Sequence, residues 1–126
     1  MTVQSRSAGT RALCELALIN PVLVVHDVAH AIPLAEALVR VGLPVLEVTL
    51  RTPAAFDVIA AMATVKGGHV GAGTLITPAD VTAAKAVGAT FGVSPGATDT
   101  LLDACEAAEL PILPGAASAS EAMRLL

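Results

Sequence analysis

The sequence is poor in aromatic and basic residues. Its 126 residues include two phenylalanines, no tryptophan and no tyrosine, and the net charge is −4. Proteins that bind nucleic acids usually present a basic surface to the phosphates and often aromatic rings on which bases stack. Because this chain offers neither feature, we expect no nucleic acid partner.

Cysteine and long hydrophobic runs are scarce as well. Cys14 and Cys105 lack the C-x-x-C spacing of redox and zinc sites, so we predict two small buried hydrophobic residues in a reducing compartment. The three histidines do not have the spacing of metal ligands, and no metal site is expected. No apolar run approaches the roughly 18 residues of a membrane span, which favours a cytoplasmic protein that has no membrane partner.

Hydrophobic residues are abundant, at 55% of the chain, which is enough for one domain with its own core. We expect residues 1–9 to be disordered and a short helix to cover residues 10–19. After that, short apolar stretches that predict strands alternate with amphipathic stretches that predict helices. The predicted strands cover residues 22–25, 45–50, 70–74, 91–94 and 112–113, and helices begin near residues 29, 52, 77, 98 and 118.

The strict alternation of strand and helix predicts an α/β fold with a parallel sheet. An open doubly wound sheet and a (β/α)8 TIM barrel both fit this order. The first strand is not followed by the G-x-G-x-x-G pattern of dinucleotide-binding sheets. Polar residues stand instead at successive strand ends, at Thr49, Arg51, Thr74 and Ser94, and barrel enzymes collect their active sites at that end. The pattern therefore favours a barrel, of which this chain supplies five βα units.

The strand within residues 45–52 has one apolar and one polar face. Glu47, Thr49 and Arg51 alternate with apolar residues and so share a face. Glu47 and Arg51 lie roughly 13 Å apart along a strand, too far to be simply ion-paired with each other. A buried Glu47 would need a cation or a reacting proton opposite it, contributed by another strand, whereas an exposed one would only mark a face open to water.

Three further segments are candidates for a site. The small residues before Thr74, in the Gly-Ala-Gly-Thr sequence at residues 71–74, are expected to leave space for a ligand. The Ser-Pro-Gly and Leu-Pro-Gly sequences at residues 94–96 and 113–115 end the next two strands, and each taken alone is ordinary turn chemistry. Lys66 and Lys85 fall in or beside helices, where neither is expected to be a desolvated nucleophile.

Taken together, these segments resemble a known family. Residues 46–52, 70–74, 94–96 and 113–115, with Ser120-Glu121, resemble in order and spacing the bacterial 2-keto-3-deoxy-6-phosphogluconate (KDPG) aldolases, a family that includes 4-hydroxy-2-oxoglutarate (KHG) aldolases. The resemblance implies a cytoplasmic (β/α)8 barrel, usually a homotrimer, that acts in Entner-Doudoroff carbohydrate metabolism. Such a lyase forms a lysine Schiff base, without metal or cofactor, and releases pyruvate with glyceraldehyde 3-phosphate, or with glyoxylate from the KHG substrate.

The resemblance also implies roles for individual residues. The family's general acid/base falls on Glu47, and its ligands for the carboxylate of pyruvate fall on Arg51 and Thr74. Thr49, Pro95 and Gly96 match segments that line the substrate pocket.

This chain matches roughly the first five of the family's eight βα units, so the polypeptide is either a truncated gene product or a piece of a longer one. The family's Schiff-base lysine, which precedes a Phe-Phe-Pro segment on strand six, and its phosphate-binding residues would lie beyond Leu126. We therefore expect this chain alone to be inactive and to self-associate through unpaired strand edges. A non-catalytic half-barrel that pairs with a second chain is the alternative. A sugar-phosphate isomerase is a weaker one, since the Glu-x-Thr-x-Arg strand and the Gly-Ala-Gly-Thr sequence favour the aldolase.

Overall fold

Strands and helices alternate along residues 3–126, the part of the chain that the structure, a computed structural model, describes. The five strands are β1 (Val22–Leu23), β2 (Val45–Thr49), β3 (His69–Gly73), β4 (Phe91–Ser94) and β5 (Ile112–Pro114). The six helices are α1 (Val3–Glu15), α2 (Ala31–Arg40), α3 (Ala55–Met62), α4 (Pro78–Ala86), α5 (Asp99–Ala107) and α6 (Ala119–Arg124). None of the helices in this described part has the length and apolar character needed to cross a membrane.

The strands form one parallel sheet in the order β1-β2-β3-β4-β5. Each strand therefore lies beside its neighbour in the sequence, as in the wall of a TIM barrel. A doubly wound sheet would instead reverse its direction of growth at a switch point. The strand order confirms the barrel-type prediction for the part of the wall that these residues build.

The sheet has a helix-covered outer face and an inner face, and β2 shows the alternation between them. Leu46 and Val48 are fully buried in the main core, which they share with residues of α2 to α5. Val45 points the other way, into a small cluster with Leu13 of α1 and Phe91 of β4. Because Val45 and Phe91 begin their strands, α1 covers the inner face at the N-terminal end of the sheet. The opposite end of that face is where β2 carries its polar residues.

Three helices begin where the sequence predicts, near residues 77, 98 and 118. Thr77 accepts a hydrogen bond from the Asp80 N–H while the Asp80 carboxylate accepts one from the Thr77 N–H, and Pro78 occupies the first helical position of α4. Thr98 caps α5, and Ser118 caps α6 in a second capping box. These starts were predictable because each depends only on residues within a few positions of the helix end.

The start of α3 corrects the prediction that this helix begins near residue 52, with Thr52 and Pro53 as its N-cap and first helical residue. The Thr52 hydroxyl donates to the carbonyl of Val25 over 2.9 Å, and α3 begins only at Ala55. Thr52 thus fastens the end of β2 to the segment after β1, a contact between distant parts of the chain that the local pattern does not contain.

The first helix and the first strand also differ from expectation. Residues 3–9, expected to be disordered, belong to α1, and Met1 and Thr2 lie outside the described residues. The helix ends at Glu15 rather than residue 19, because Leu13 is buried whereas Leu16 is 47% exposed and has no core to extend into. β1 has two residues instead of four, and Val22 is 60% exposed, since in the described chain only β2 pairs with this strand.

The cysteines behave differently from one another. Cys105 is buried in the core, as predicted. Cys14 is exposed, so its predicted burial is wrong. The reason is its place on α1, where the adjacent Leu13 takes the position that faces the sheet.

Candidate active site

Glu47 lies in the middle of β2, half-buried on the inner face of the sheet. Its partners across the sheet are Val22 of β1 and Gly71 of β3. The carboxyl group does not rest beside Gly71, however. It lies over Gly73, two residues closer to the C-terminal end of β3. A Cβ atom added to Gly73 would overlap Oε1 of Glu47 and stand 2.9 Å from its Cδ.

The two inner-face glycines of β3 accommodate neighbours from opposite sides. The ring of Phe91 leans across from β4 and occupies the place that a Cβ atom on Gly71 would take. The carboxyl group of Glu47 does the same from β2 over Gly73. The expectation that these small residues leave space for a ligand is therefore corrected, since side chains of this chain fill the space beside both glycines.

The environment of Glu47 favours the protonated carboxyl group. Burial raises the pKa of Glu47 above the ordinary 4.5, and the positive charge of Arg51 lowers it by a smaller amount. No ion pair joins the two within the described residues. In this part of the chain, the cation that acts on Glu47 is Arg51, which follows the same strand. A cation or reacting proton contributed by another strand stays a prediction. A carboxyl group whose pKa is raised holds a proton more readily than an ordinary glutamate, which suits general acid/base catalysis.

Thr74 follows β3 in a strained conformation. Its φ angle is 65°, in the left-handed region that a β-branched residue rarely adopts. Backbone hydrogen bonds hold both sides of it, from the Leu50 N–H to the Gly73 carbonyl (2.9 Å) and from the Leu75 N–H to the Val93 carbonyl (3.0 Å). Conformations of this kind persist where the surroundings enforce them, and they cluster at functional sites.

Arg51, Pro95 and Gly96 lie at the same end of the sheet and are exposed. Arg51 follows β2, whereas Pro95 and Gly96 follow β4. The Ser94 hydroxyl, which is buried, donates to the Gly96 carbonyl over 2.7 Å and so shapes this turn. The arrangement brings Glu47, Arg51 and Thr74 to the C-terminal half of two adjacent strands.

Thr49, a predicted pocket-lining residue, is buried and forms a hydrogen bond to the neighbouring strand. It is 1% exposed, and its hydroxyl donates to the Leu23 carbonyl over 3.1 Å. This hydrogen bond ties β2 to β1. A role for Thr49 in lining the pocket stays a prediction.

Two glycines contribute more to this end of the sheet than the sequence indicated. Gly73 makes space for the Glu47 carboxyl group, and Gly115 lies where a Cβ atom would stand 2.8 Å from the carbonyl carbon of Pro95. Neither glycine has a φ angle in the left-handed region, so both are required for close approach and not for a turn. From the sequence, Gly73 was expected to leave space for a ligand, and Gly115 was interpreted as part of an ordinary turn.

Neither lysine lies on the inner face of the sheet with Glu47, and both are exposed to solvent. Lys66 is exposed after α3, and Lys85 is exposed on α4, where its Nζ donates to the Glu109 carbonyl over 3.1 Å. Both belong to the helical layer outside the sheet, as predicted. The described residues hold no cluster of three or more potential metal ligands.

A cavity of about 380 Å³ lies elsewhere, between α1, α5, β5 and α6. Its wall includes Cys105, Ile112 and Leu125 but none of the predicted site residues. Its position makes it part of the packing at the β5 edge, and it adds nothing to the site around Glu47.

The fold and the site define an α/β protein of the TIM-barrel type with a half-buried carboxyl group on the inner strand face. A family model described as "Aldolase: KDPG and KHG aldolase" matches residues 10–126. The chain belongs to this family.

Named relatives agree with the family model. A 2-dehydro-3-deoxy-phosphogluconate aldolase of Pseudoalteromonas atlantica is 51% identical over 105 residues, which are 82% of this chain and 49% of that protein. The KHG/KDPG aldolase of Escherichia coli K12 is 46% identical over 104 residues, again 82% of this chain and 49% of the relative. The chain thus spans about half the length of the relatives it matches.

Solved structures of the family superpose well on the chain. The KDPG aldolase of Zymomonas mobilis gives a TM-score of 0.86 at 46% identity, over 90% of this chain and 55% of the other. The KDPG aldolase of Legionella pneumophila, solved with pyruvate captured as a covalent carbinolamine intermediate, gives 0.85 at 43% identity, over 90% of this chain and 56% of the other. These fits support the assignment of the five strands to a barrel wall.

Proposed function

We propose that this chain supplies the acid/base and pyruvate-binding half of a class I aldolase that cleaves KDPG or KHG. The observation that carries the proposal is the half-buried carboxyl group of Glu47, which lies over Gly73 with Arg51 and Thr74 at the ends of the same two strands. Membership of the KDPG and KHG aldolase family supports the reaction class.

Glu47 would move protons in two steps of this reaction. Formation of the imine from a carbinolamine requires a proton on the departing oxygen. Carbon-carbon cleavage requires removal of a proton from the hydroxyl group on the carbon that becomes the aldehyde. A single carboxyl group can serve both steps if each of its protonation states is accessible, and the raised pKa of Glu47 favours this.

Arg51 and Thr74 would hold the carboxylate of the pyruvate moiety. A guanidinium group binds a planar carboxylate through two parallel hydrogen bonds. The Thr74 hydroxyl would add a third donor from the adjacent strand, at a position that the strained backbone fixes. Thr49, Pro95 and Gly96 would line the pocket around these groups.

The Schiff-base lysine would come from a part of the enzyme outside these residues. An imine requires an unprotonated amine in a desolvated site that faces the carbonyl carbon. Lys66 and Lys85 are exposed outside the sheet and do not meet this requirement. The relatives are about twice as long as the aligned segment, which leaves space for a lysine and a phosphate site in the remaining barrel units. A cytoplasmic homotrimer is part of the same proposal.

A chimera tests the proposal. Residues 10–126 replace the matching part of the Zymomonas mobilis KDPG aldolase, to which this chain is 46% identical over 112 residues. We expect the chimera to cleave KDPG, with the pyruvate measured by coupling to lactate dehydrogenase. Glu47→Gln should lower its turnover by about 100-fold or more, since general acid/base catalysis typically contributes that much.

The control is Glu36→Gln, which changes an exposed carboxylate on α2 and should leave turnover as it was. A folded chimera that forms no pyruvate would contradict the proposal and favour a non-catalytic half-barrel. Full activity in the Glu47→Gln chimera would remove Glu47 from the mechanism while leaving the reaction class intact.

A further inference from the structure

We propose that Gly73 is a positioning residue: because it has no side chain, it fixes where the carboxyl group of Glu47 lies. The catalytic meaning of this inference rests on the proposed function, since it gives Glu47 a reaction to serve. The positional relationship between the two residues stands on geometry alone.

The geometry shows that Glu47 leans along the sheet. Its register partner on β3 is Gly71, yet its carboxyl group lies over Gly73, which pairs with Thr49. The side chain therefore extends one pleat toward the C-terminal strand ends, where Arg51 and Thr74 lie. If the carboxyl group lay beside Gly71, the register partner of Glu47, it would be farther from Arg51 and Thr74.

The space beside Gly71 is closed to Glu47. The ring of Phe91 fills it and belongs to a buried cluster with Leu13 and Val45. On the inner face of β3, the Phe91 ring thus lies over Gly71 and the Glu47 carboxyl group lies over Gly73. Along β3, the space beside Gly73 is therefore the one that the Glu47 carboxyl group occupies.

An added methyl group should have different consequences at these two glycines. At position 73 it would meet the Glu47 side chain, 2.9 Å from Cδ and 3.0 Å from Cγ, and a flexible side chain can move aside. At position 71 it would meet a rigid ring packed in the core. Gly73→Ala should therefore displace the carboxyl group with little loss of stability, whereas Gly71→Ala should lower stability substantially.

The charges around Glu47 are few, so its titration reports its position. Arg51, which follows β2, supplies the charge that acts on Glu47. The adjacent segments at residues 22–23, 70–74 and 91–94 contain no ionisable side chain, and the ionisable residue of β3 is His69, which pairs with Val45 at the N-terminal end of the strand. Burial raises the pKa of Glu47, so a carboxyl group displaced toward water should titrate at lower pH, closer to an ordinary glutamate.

Infrared titration of the chain labelled with ¹³C-carboxyl glutamate tests the inference, and it tolerates self-association. Subtracting the Glu47→Gln spectrum isolates the Glu47 band. We expect the midpoint of that band to shift to lower pH in Gly73→Ala. The matched control is Gly68→Ala, where an added Cβ atom would meet the nearest atoms at an ordinary 3.5 Å, and its midpoint should equal that of the parent chain. An unchanged or higher midpoint in Gly73→Ala would overturn the inference.

A second variant covers the case in which Gly73→Ala does not fold. In the background of Glu47→Ala the obstructing side chain is gone, so the double variant should recover the circular dichroism spectrum and the urea midpoint of Glu47→Ala alone. Glutamine at position 47 still meets the methyl group, so the double variant with Glu47→Gln should remain unfolded. A double variant with Glu47→Ala that also fails to fold would show that the methyl group meets something other than Glu47.

These readouts separate the inference from the proposed function. The infrared shift and the rescue measure position and need no turnover. If Gly73→Ala shifts the titration while the Glu47→Gln chimera stays active, the positioning is correct and the proposed role of Glu47 is wrong. If Glu47→Gln abolishes turnover and Gly73→Ala leaves the titration midpoint unchanged, the proposed role of Glu47 is correct and the positioning by Gly73 is wrong.

Discussion

Thr74 shows at the scale of one residue how the fold accepts local strain at the end of β3. A non-glycine residue in the left-handed region costs on the order of 1 to 3 kcal/mol, and a β-branched one is at the upper end. Glycine would avoid that cost, as it does at Gly42, Gly67 and Gly88, which also have positive φ angles. The presence of threonine at this position is therefore best explained by its hydroxyl group, which agrees with the proposed contact to a carboxylate.

We predict that Thr74→Gly is more stable than Thr74→Ala by roughly 1 kcal/mol, because alanine keeps the strain and glycine relieves it. Urea unfolding at one fixed chain concentration measures the difference. In the chimera both variants should weaken substrate binding alike, because both lack the hydroxyl. Equal stability of the two variants would show that the φ angle of Thr74 carries no strain.

Glu47 gives a prediction on pH dependence. Its pKa is raised in the folded chain above the ordinary 4.5, so the folded state holds this proton more tightly than the unfolded state. The free energy of unfolding should therefore fall as pH rises from about the unfolded pKa through the higher folded pKa. Glu47→Gln cannot titrate, so the stability of the parent chain relative to this variant should decrease as pH rises above about 4.5 and through the higher folded pKa. A difference that stays constant with pH would contradict the raised pKa.

At the scale of elements, the sequence predicted what local chemistry determines. The residues of β4 and the capped starts of α4 and α5 were predicted correctly, because strand alternation and capping depend on near neighbours. The start of α3 was missed because Thr52 bonds to Val25, 27 positions away. The function of Gly73 was missed for a similar reason. No sequence period indicates which neighbouring side chain will lean over a glycine.

The capping box of α4 supplies a prediction at this scale. Thr77→Ala should lower the free energy of unfolding by about 1 kcal/mol, because it leaves the Asp80 N–H without its partner. Thr82→Ala is the control, since it changes an exposed residue within the same helix and should have an effect within about 0.5 kcal/mol. Equal losses for the two variants would contradict a capping role.

The same capping box should be sensitive to acid. Burial tends to raise the pKa of Asp80, but hydrogen bonds from Thr77 and Ile76 outweigh it and hold this pKa below 3.8. The stabilisation is therefore present above the unfolded pKa and is lost as pH falls through the lower folded value. The difference in stability between the parent chain and Asp80→Asn should shrink below about pH 4 in the same urea experiment, because the backbone N–H groups of Ile76 and Thr77 bond the ionised carboxylate.

At the scale of the whole molecule, the described sheet ends in two unpaired strands. β1 and β5 each have one neighbour, and apolar side chains are exposed near β1, including Leu18 at 106%, Ile19 at 65% and Val22 at 60%. Open edges of this kind pair readily with another chain. We predict that the 126-residue chain self-associates, and sedimentation velocity over a range of concentrations measures it. A monomer that melts cooperatively at every concentration would contradict this prediction.

The last prediction concerns the chemistry that these residues can perform together. A class I aldolase needs an amine, a proton carrier and a carboxylate site around one carbonyl carbon. Glu47, Arg51 and Thr74 can supply the second and third requirements from one end of the sheet. Lys66 and Lys85 lie among the helices outside the sheet, where Lys85 is bonded to the Glu109 carbonyl. Pyruvate bound near Glu47 would thus have a proton carrier beside it and no amine from these residues to attack it.

We therefore predict that the 126-residue chain forms no specific imine with pyruvate. The chain is incubated with pyruvate and borohydride, and reduced adducts are located by mass spectrometry after proteolysis. Only slow modification, spread over exposed amines, is expected, whereas the chimera should trap pyruvate stoichiometrically on one lysine of its Zymomonas part. The matched control is Lys66→Arg in the chimera, which should trap as much pyruvate as the parent chimera. A stoichiometric adduct on Lys66 or Lys85 would contradict the prediction, since it would require one of these lysines to reach the inner face of the sheet.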